Sequence, residues 1–196
     1  MSKDSEEKAL NISAPKDRIG ALIGPRGSAK MQIEKRLGVE LDINSSTGDV
    51  KITLLETQDP SLLFRARDSV TAIARGFSPK RAFRLFDEDV FLKLIDLSSI
   101  VGKNPSDVKR IKARIIGVKG KARRIIEETT GCFVSVYGDT ISIIGGTEEI
   151  EVAGEAILML IQGALHSRVY RYLDRYAHKR KMKTFLPEYG TGTPRP

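Results

Sequence analysis

Leu22-Ile23-Gly24-Pro25-Arg26-Gly27-Ser28-Ala29-Lys30-Met31-Gln32-Ile33-Glu34 returns later in the chain, in kind and spacing, as Ile115-Ile116-Gly117-Val118-Lys119-Gly120-Lys121-Ala122-Arg123-Arg124-Ile125-Ile126-Glu127. The first glycines keep the offset 117 − 24 = 93, and the glycines closing the next segment keep it too, 131 − 38 = 93. A fixed offset over this length marks a duplicated structural unit. Each copy reads as an apolar segment, a Gly-x-x-Gly turn, and a helix with apolar or small residues four apart: Ala29, Ile33 and Leu37, then Ala122 and Ile126. Gly38 and Gly131 fall where a helix ends in a left-handed residue. The strands Val39 to Ile43 and Phe133 to Tyr137 follow, with alternating side chains. Gly48-Asp49 and Gly138-Asp139 turn each chain back into a second strand, Val50 to Leu54 and Thr140 to Ile144. Here the offset falls to 138 − 48 = 90, so the second turn is shorter by three residues.

Working outward, each unit needs a first strand and a last helix. Ala9 to Ser13 and Val90 to Leu97 supply the strands. Asp59-Pro60-Ser61 starts a helix that runs to about Arg75, where Gly76 stops it. Asn104-Pro105-Ser106-Asp107 caps a helix toward Ile111. After Gly145-Gly146-Thr147, the acids Glu148, Glu149 and Glu151 suit the positive end of a long helix. That helix is expected to run to about Lys181, with a bend near Gly163. The expected fold is α+β, with two units of order β-α-α-β-β-α. Each has a three-stranded antiparallel sheet with helices on one face. The expected divisions are 1–77 for the first unit, 78–89 for a linking helix, 90–183 for the second unit with its long basic helix, and 184–196 for a disordered tail.

The charge balance points to a partner. Lys and Arg total 33 against 25 acids, giving +8, which favours a polyanion because phosphates attract a positive surface and release counterions on contact. Apolar residues make up 40%, enough for a packed core. Cys132 is the single cysteine, so no intramolecular disulfide can form, and an intracellular, cytoplasmic setting is expected. The sequence has no apolar run of membrane-spanning length and no signal-peptide core, so no membrane partner is expected. Trp is absent and aromatics are 6%, which argues against a platform of many stacked rings.

The order strand, helix, Gly-x-x-Gly, helix, strand, strand, helix resembles the eukaryotic-type (type I) KH domain, in tandem. Ile23-Gly24-Pro25-Arg26-Gly27 and Ile116-Gly117-Val118-Lys119-Gly120 carry the resemblance. The tandem arrangement, the size and the basic C-terminal helix are similar to the archaeal and eukaryotic KH-type assembly factors of the small ribosomal subunit, partners of the NOB endonuclease. That resemblance implies single-stranded RNA as ligand, near the 3′ end of small-subunit rRNA. It also implies contact with the endonuclease and, in archaea, with a translation initiation factor. DNA is not expected. Retention of Gly24 and Gly27 fits an archaeal-type member.

The expected mechanism is physical. Glycines allow a tight turn and a close approach of RNA backbone, and the following helix offers its free N–H groups and positive end to phosphates. Gly24, Pro25, Arg26, Gly27 and Lys30 form the first candidate site. Gly117, Val118, Lys119, Gly120, Lys121, Arg123 and Arg124 form the second. Leu41 and Ile43, or Val134 and Val136, would supply an apolar floor under the bases if their face is not core. Arg168, Arg171, Arg175, Lys179, Arg180, Lys181 and Lys183 read equally as a second phosphate contact or as a solvated helix end. Tyr170, Tyr172 and Tyr176 fit packing onto the second unit better than base stacking.

No enzyme is expected, and no cofactor. His166 and His178 lie 178 − 166 = 12 positions apart, which excludes a metal pair on adjacent helical turns. Cys132 sits opposite Val39 in the repeat and reads as a small buried hydrophobe. No Walker, Rossmann or zinc-ligand spacing occurs. The competing readings are another KH protein, such as an exosome cap or an RNA regulator, and a KH-fold scaffold that binds only protein.

Overall fold

The computed structural model describes residues 8–55 and 59–185 of the chain, and side chains through Met182. The expected tail beyond 185 lies outside the described residues. The first half runs β1 (Ala9–Ser13), α1 (Lys16–Ile23), α2 (Ser28–Leu37), β2 (Val39–Ile43), β3 (Asp49–Leu54) and α3 (Ser61–Ala74). A connector follows, α4 (Pro79–Ala82) continuing into a tight 3₁₀ turn over Phe83–Phe86. The second half runs β4 (Phe91–Asp96), α5 (Leu97–Val101), α6 (Pro105–Ile116), α7 (Lys121–Thr130), β5 (Phe133–Tyr137), β6 (Thr140–Gly145), α8 (Thr147–Ile161) and α9 (His166–Phe185). Each half builds a three-stranded antiparallel sheet, ordered β1-β3-β2 and β4-β6-β5. The expected strands, the helix after each Gly-x-x-Gly and the left-handed glycine ends at Gly38 and Gly131 are all present. The short helix α5, capped where the Asp96 carboxylate accepts the Ser98 N–H, was not foreseen.

One expectation needs correcting. The C-terminal segment is two helices, not one bent helix. Gly163 adopts φ +93, a left-handed conformation that ends α8. The break repeats the first half, where Gly76 adopts φ +97 after α3, with 163 − 76 = 87. The hydrogen bonds repeat as well. Gly76 N–H donates to Ile73 O and Phe77 N–H to Ala72 O, as Gly163 does to Leu160 and Ala164 to Met159. Arg81 N–H donates to Ser78 O, as Arg168 does to Leu165. So α9 is the repeat counterpart of the short connector helix α4, extended to twenty residues.

The sheets share an inner face and differ in the outer one. Val39, Leu41, Val50 and Ile52 pack under the helices of the first half, and Val134, Ile141 and Ile143 do so in the second. On β6 the intervening residues are buried too: Ile144 joins the core of the first half, beside Phe77, Ala82 and Leu85. The second sheet is therefore sandwiched between its own helices and the connector. The close approach occurs at Gly76, where a Cβ would lie 2.7 Å from Ser135 Oγ. Polar contacts seal that boundary. Ser135 Oγ donates to Arg75 O at 2.9 Å, and Tyr137 O–H donates to the Asp17 carboxylate at 2.7 Å. Arg18 ties α1 to the end of α3 through Ile73 O and Phe77 O, and its guanidinium lies 5.8 Å from the Tyr137 ring. Among the described residues no helix is long and apolar enough to cross a membrane.

Candidate nucleic-acid interface

The two Gly-x-x-Gly loops have the same backbone. Gly24 and Gly117 sit at φ +73 and +72; Gly27 and Gly120 sit at φ +78 and +75. Between them Arg26 (φ +54) and Lys119 (φ +50) are left-handed, the only described non-glycine residues with positive φ. A side chain in that region carries strain of about 1–2 kcal/mol, and such strain collects at functional loops. Here it aims one cation in each copy away from the body of the loop, and both are exposed.

The glycines of each pair have different roles. A Cβ on Gly24 would lie 2.8 Å from the Ala29 Cβ and backbone N, and one on Gly117 would meet Ala122 identically. The first glycine is thus needed for packing against the following helix. The second faces open space, with nothing within 4 Å of a Cβ on Gly27 or Gly120. It is the second that leaves bare backbone at the positive tip of α2 or α7, although the first N–H of each helix, Ser28 or Lys121, already donates to Pro25 O or Val118 O.

The helix after each loop repeats a further device. The Glu34 carboxylate accepts the Leu41 N–H at 2.9 Å, and the Glu127 carboxylate accepts the Val134 N–H at 2.8 Å. Each satisfies a donor on the outer edge of its sheet, which explains the glutamate in the repeat. The same carboxylates pair with a cation one turn back, Lys30–Glu34 at 3.7 Å and Arg123–Glu127 at 3.6 Å. The candidate cations Lys30 and Arg123 are therefore partly neutralised, while Arg26, Lys119, Lys121 and Arg124 project into solvent. The repeat positions of Lys121 and Arg124 in the first half are Ser28 and Met31, so the second rim is the more basic.

The expected apolar floor is not where the alternation suggested. Leu41 and Val134 are core residues, and Ile43 and Val136 pack on the same side. Between loop and strand the second half instead has a groove of about 750 Å³ along α7 to the start of β5. Lys119, Arg123 and Arg124 line one wall, Phe133 the floor, and Arg81 and Arg84 of the connector the far wall. Arg81 is anchored to Glu127 at 3.1 Å, and both arginines lie over the Phe133 ring, at 4.8 and 5.6 Å. Sequence reasoning missed this arginine pair; the basic run Lys80, Arg81 and Arg84 was the available signal.

The remaining candidates divide. Arg168, Arg171 and Arg175 are exposed, as are Lys179 and Lys181, while Arg180 turns back toward Thr130 O. Lys183 lies among the side chains not described. Tyr176 is buried and Tyr172 packs on the second core, as expected; burial pushes both phenols above their ordinary pKa. Cys132 is 1% exposed, and burial pushes its thiol up, as suits a core residue. No three His, Cys, Asp or Glu side chains converge among the described residues.

Residues 91–178 match the family described as the eukaryotic-type KH domain, KH-domain type I. A KH domain-containing protein of Methanocaldococcus jannaschii is 43% identical over 182 residues, 92% of this chain and 79% of that protein. The crystal structure of Dim2p from Pyrococcus horikoshii is 46% identical, with a TM-score of 0.79 over 86% of this chain and 99% of that one. Dim2p in the complex of archaeal initiation factor 2α, Dim2p and rRNA from the same organism is 45% identical, with a TM-score of 0.84 over 90% and 97%.

Proposed function

This chain belongs to the Dim2p family of KH-domain proteins, and on that premise we propose that it is a single-stranded RNA-binding assembly factor of the small ribosomal subunit. Both halves are read as type I KH modules, and RNA lies against both Gly-x-x-Gly loops. The observation that carries this reading is the duplicated loop, with Arg26 and Lys119 held left-handed beside a bare glycine at a helix tip. Phosphates meet Arg26, Lys119 and the positive ends of α2 and α7. Bases meet the groove between Arg123 and the connector arginines, whose guanidinium groups lie over the Phe133 ring. The more basic second rim takes the larger share of the affinity. The reading places RNA at the 3′ region of small-subunit rRNA, as the family resemblance implies, and takes a translation initiation factor as protein partner; the archaeal relative was solved with rRNA and initiation factor 2α. The family resemblance adds the NOB-type endonuclease. The assignment requires no catalytic step.

The test is to purify the chain from cells, elute and sequence the bound RNA, and measure binding of the recovered sequence against salt. The expected outcome is enrichment of the small-subunit rRNA 3′ region and a steep loss of affinity as salt rises. Enrichment of unrelated transcripts would overturn the ribosomal assignment, and recovery of no RNA would overturn RNA binding itself.

A further inference from the structure

A second hollow of about 450 Å³ opens on the other side of the second loop from the groove. It lies where the last turn of α6, the loop, and the first turns of α7 and α9 meet. Its apolar lining includes Ala113 and Val118, both exposed, with Val118 82% exposed at the lip. One wall is a pair of rings: His166 and Tyr170 lie one helical turn apart with centroids 6.1 Å apart, tilted by 56°. Arg110 and Lys121 stand at the rim.

The hollow is held in shape before anything binds. The Arg114 guanidinium donates to Leu160 O and to Ala164 O at 2.7 Å, which fixes α6 against the break between α8 and α9. The His166 ring is fixed in turn, with Nε2 at 2.9 Å from Arg114 O. A carbonyl only accepts, so Nε2 carries a proton and the ring is clamped edge-on. A pair of rings, one of them clamped, beside cations suits a nucleobase, which stacks on one ring while its phosphate meets the charge.

The repeat shows that this is not a general feature of the loop. The positions equivalent to Arg110, Arg114 and Lys121 in the first half are Asp17, Ala21 and Ser28, each 93 residues earlier. The position equivalent to His166 is Pro79, 87 residues earlier. Every cation and the clamped ring are therefore missing there, and Asp17 is occupied with Tyr137. The hollow was built in one copy only.

We propose that this hollow is a subsite for one further nucleotide of the bound RNA, its base stacked on Tyr170 with the tilted His166 ring against its edge and its phosphate at Arg110 and Lys121. It rests on the reading that RNA lies on the second Gly-x-x-Gly loop, and it extends the bound strand past the loop. A strand at the loop tip is already beside Val118 and Lys121, so continuing into the hollow needs no sharp turn.

The test uses the full chain and a single-stranded RNA of about ten nucleotides from the 3′ end of small-subunit rRNA, with a series carrying one abasic nucleotide at each position. In the wild type, one abasic position outside the groove-bound nucleotides should weaken binding about fivefold or more. In Tyr170→Ala that position should lose its effect while the other positions keep theirs. Arg110→Glu, on an exposed side chain, provides a second variant and should weaken the intact RNA severalfold with unchanged thermal unfolding. If no abasic position is coupled to Tyr170 and Arg110→Glu binds normally, while Val118→Asp with Lys119→Asp still weakens binding, the subsite is wrong and the loop reading stands. If the loop variant also binds normally, the loop reading falls, and the subsite with it.

Discussion

A row of side chains across the outer face of the first sheet reads Ala9, Thr53, Glu40, and the row at the same place in the second reads Leu92, Ile144, Phe133. The next rows read Asn11, Lys51, Asp42 and Leu94, Ser142, Ser135. The inner faces of the sheets, the Gly-x-x-Gly loops and the helices that follow them are closely alike, whereas the outer faces have diverged. One copy keeps that face wet. The other covers it from Ile144 to Ser135 with Phe77 and the connector, leaving Leu94 at the edge exposed, and by doing so places Arg81 and Arg84 beside the second loop. Packing of the two halves and the charge of the second groove thus have one structural cause.

The strongest way to break that comparison is to charge the two central positions. Ile144→Lys buries an ammonium without a partner between sheet and connector, and should cost more than about 4 kcal/mol in chemical unfolding. Thr53→Lys, on the solvated face, should stay within about 0.5 kcal/mol. Equal losses would mean that the outer faces do not differ as described. A smaller effect is expected where the copies agree. Gly24→Ala and Gly117→Ala each drive a methyl group to 2.8 Å from the next helix at positive φ, and should each cost about 2–4 kcal/mol. Gly27→Ala and Gly120→Ala meet no atoms and should cost about 1 kcal/mol, from φ alone.

Those glycines were also the most legible part of the sequence. A turn, a helix and an edge strand are encoded within some twenty consecutive residues, so local pattern and spacing reveal them. The break at Gly163 was half legible: the glycine was noticed, but only alignment with Gly76 shows that it ends a helix. The covered outer face was less so. The run Ile141-Ser142-Ile143-Ile144 departs from simple alternation, as a strand buried on both sides does, yet the sequence does not say what covers it. The Arg81–Glu127 pair and the Arg114 and His166 clamp join residues 46 to 52 positions apart, beyond the reach of any local pattern. Whether Leu41, Ile43, Val134 and Val136 form floor or core stayed open for a related reason, since alternation separates two faces without saying which one is core.

RNA binding should sharpen the comparison further. Val118→Asp with Lys119→Asp places two negative charges at the tip of the more basic rim, and should weaken binding about tenfold or more by like-charge repulsion. Asp tolerates the left-handed conformation that Lys119 holds, so the fold should survive, with an unchanged unfolding midpoint as the check. Pro25→Asp with Arg26→Asp should weaken binding only a few-fold, because Ser28 and Met31 replace two cations there. The reverse ranking in a fluorescence anisotropy titration would make the first loop the main reader.

The smallest effect belongs to the rim of the boundary, and it again separates two equivalent positions. Tyr137 ends β5 and reaches across to Asp17, whereas Asn44, 93 residues earlier, turns its side-chain oxygen onto Ser46 and Thr47 within its own hairpin. Hydrogen bonding to the Asp17 carboxylate raises the Tyr137 phenol above its ordinary value. An acid whose pKa is raised on folding stabilises the fold while it stays protonated. Its contribution is therefore full below the ordinary phenol pKa of about 10, and it is lost as pH rises through the higher folded value. Tyr137→Phe should cost less than about 1 kcal/mol at neutral pH, because both groups lie at the surface. The same substitution should also flatten the decline in stability at the alkaline end. A variant whose unfolding midpoint falls with pH as steeply as the wild type's would show that the Tyr137–Asp17 bond does not contribute to the boundary.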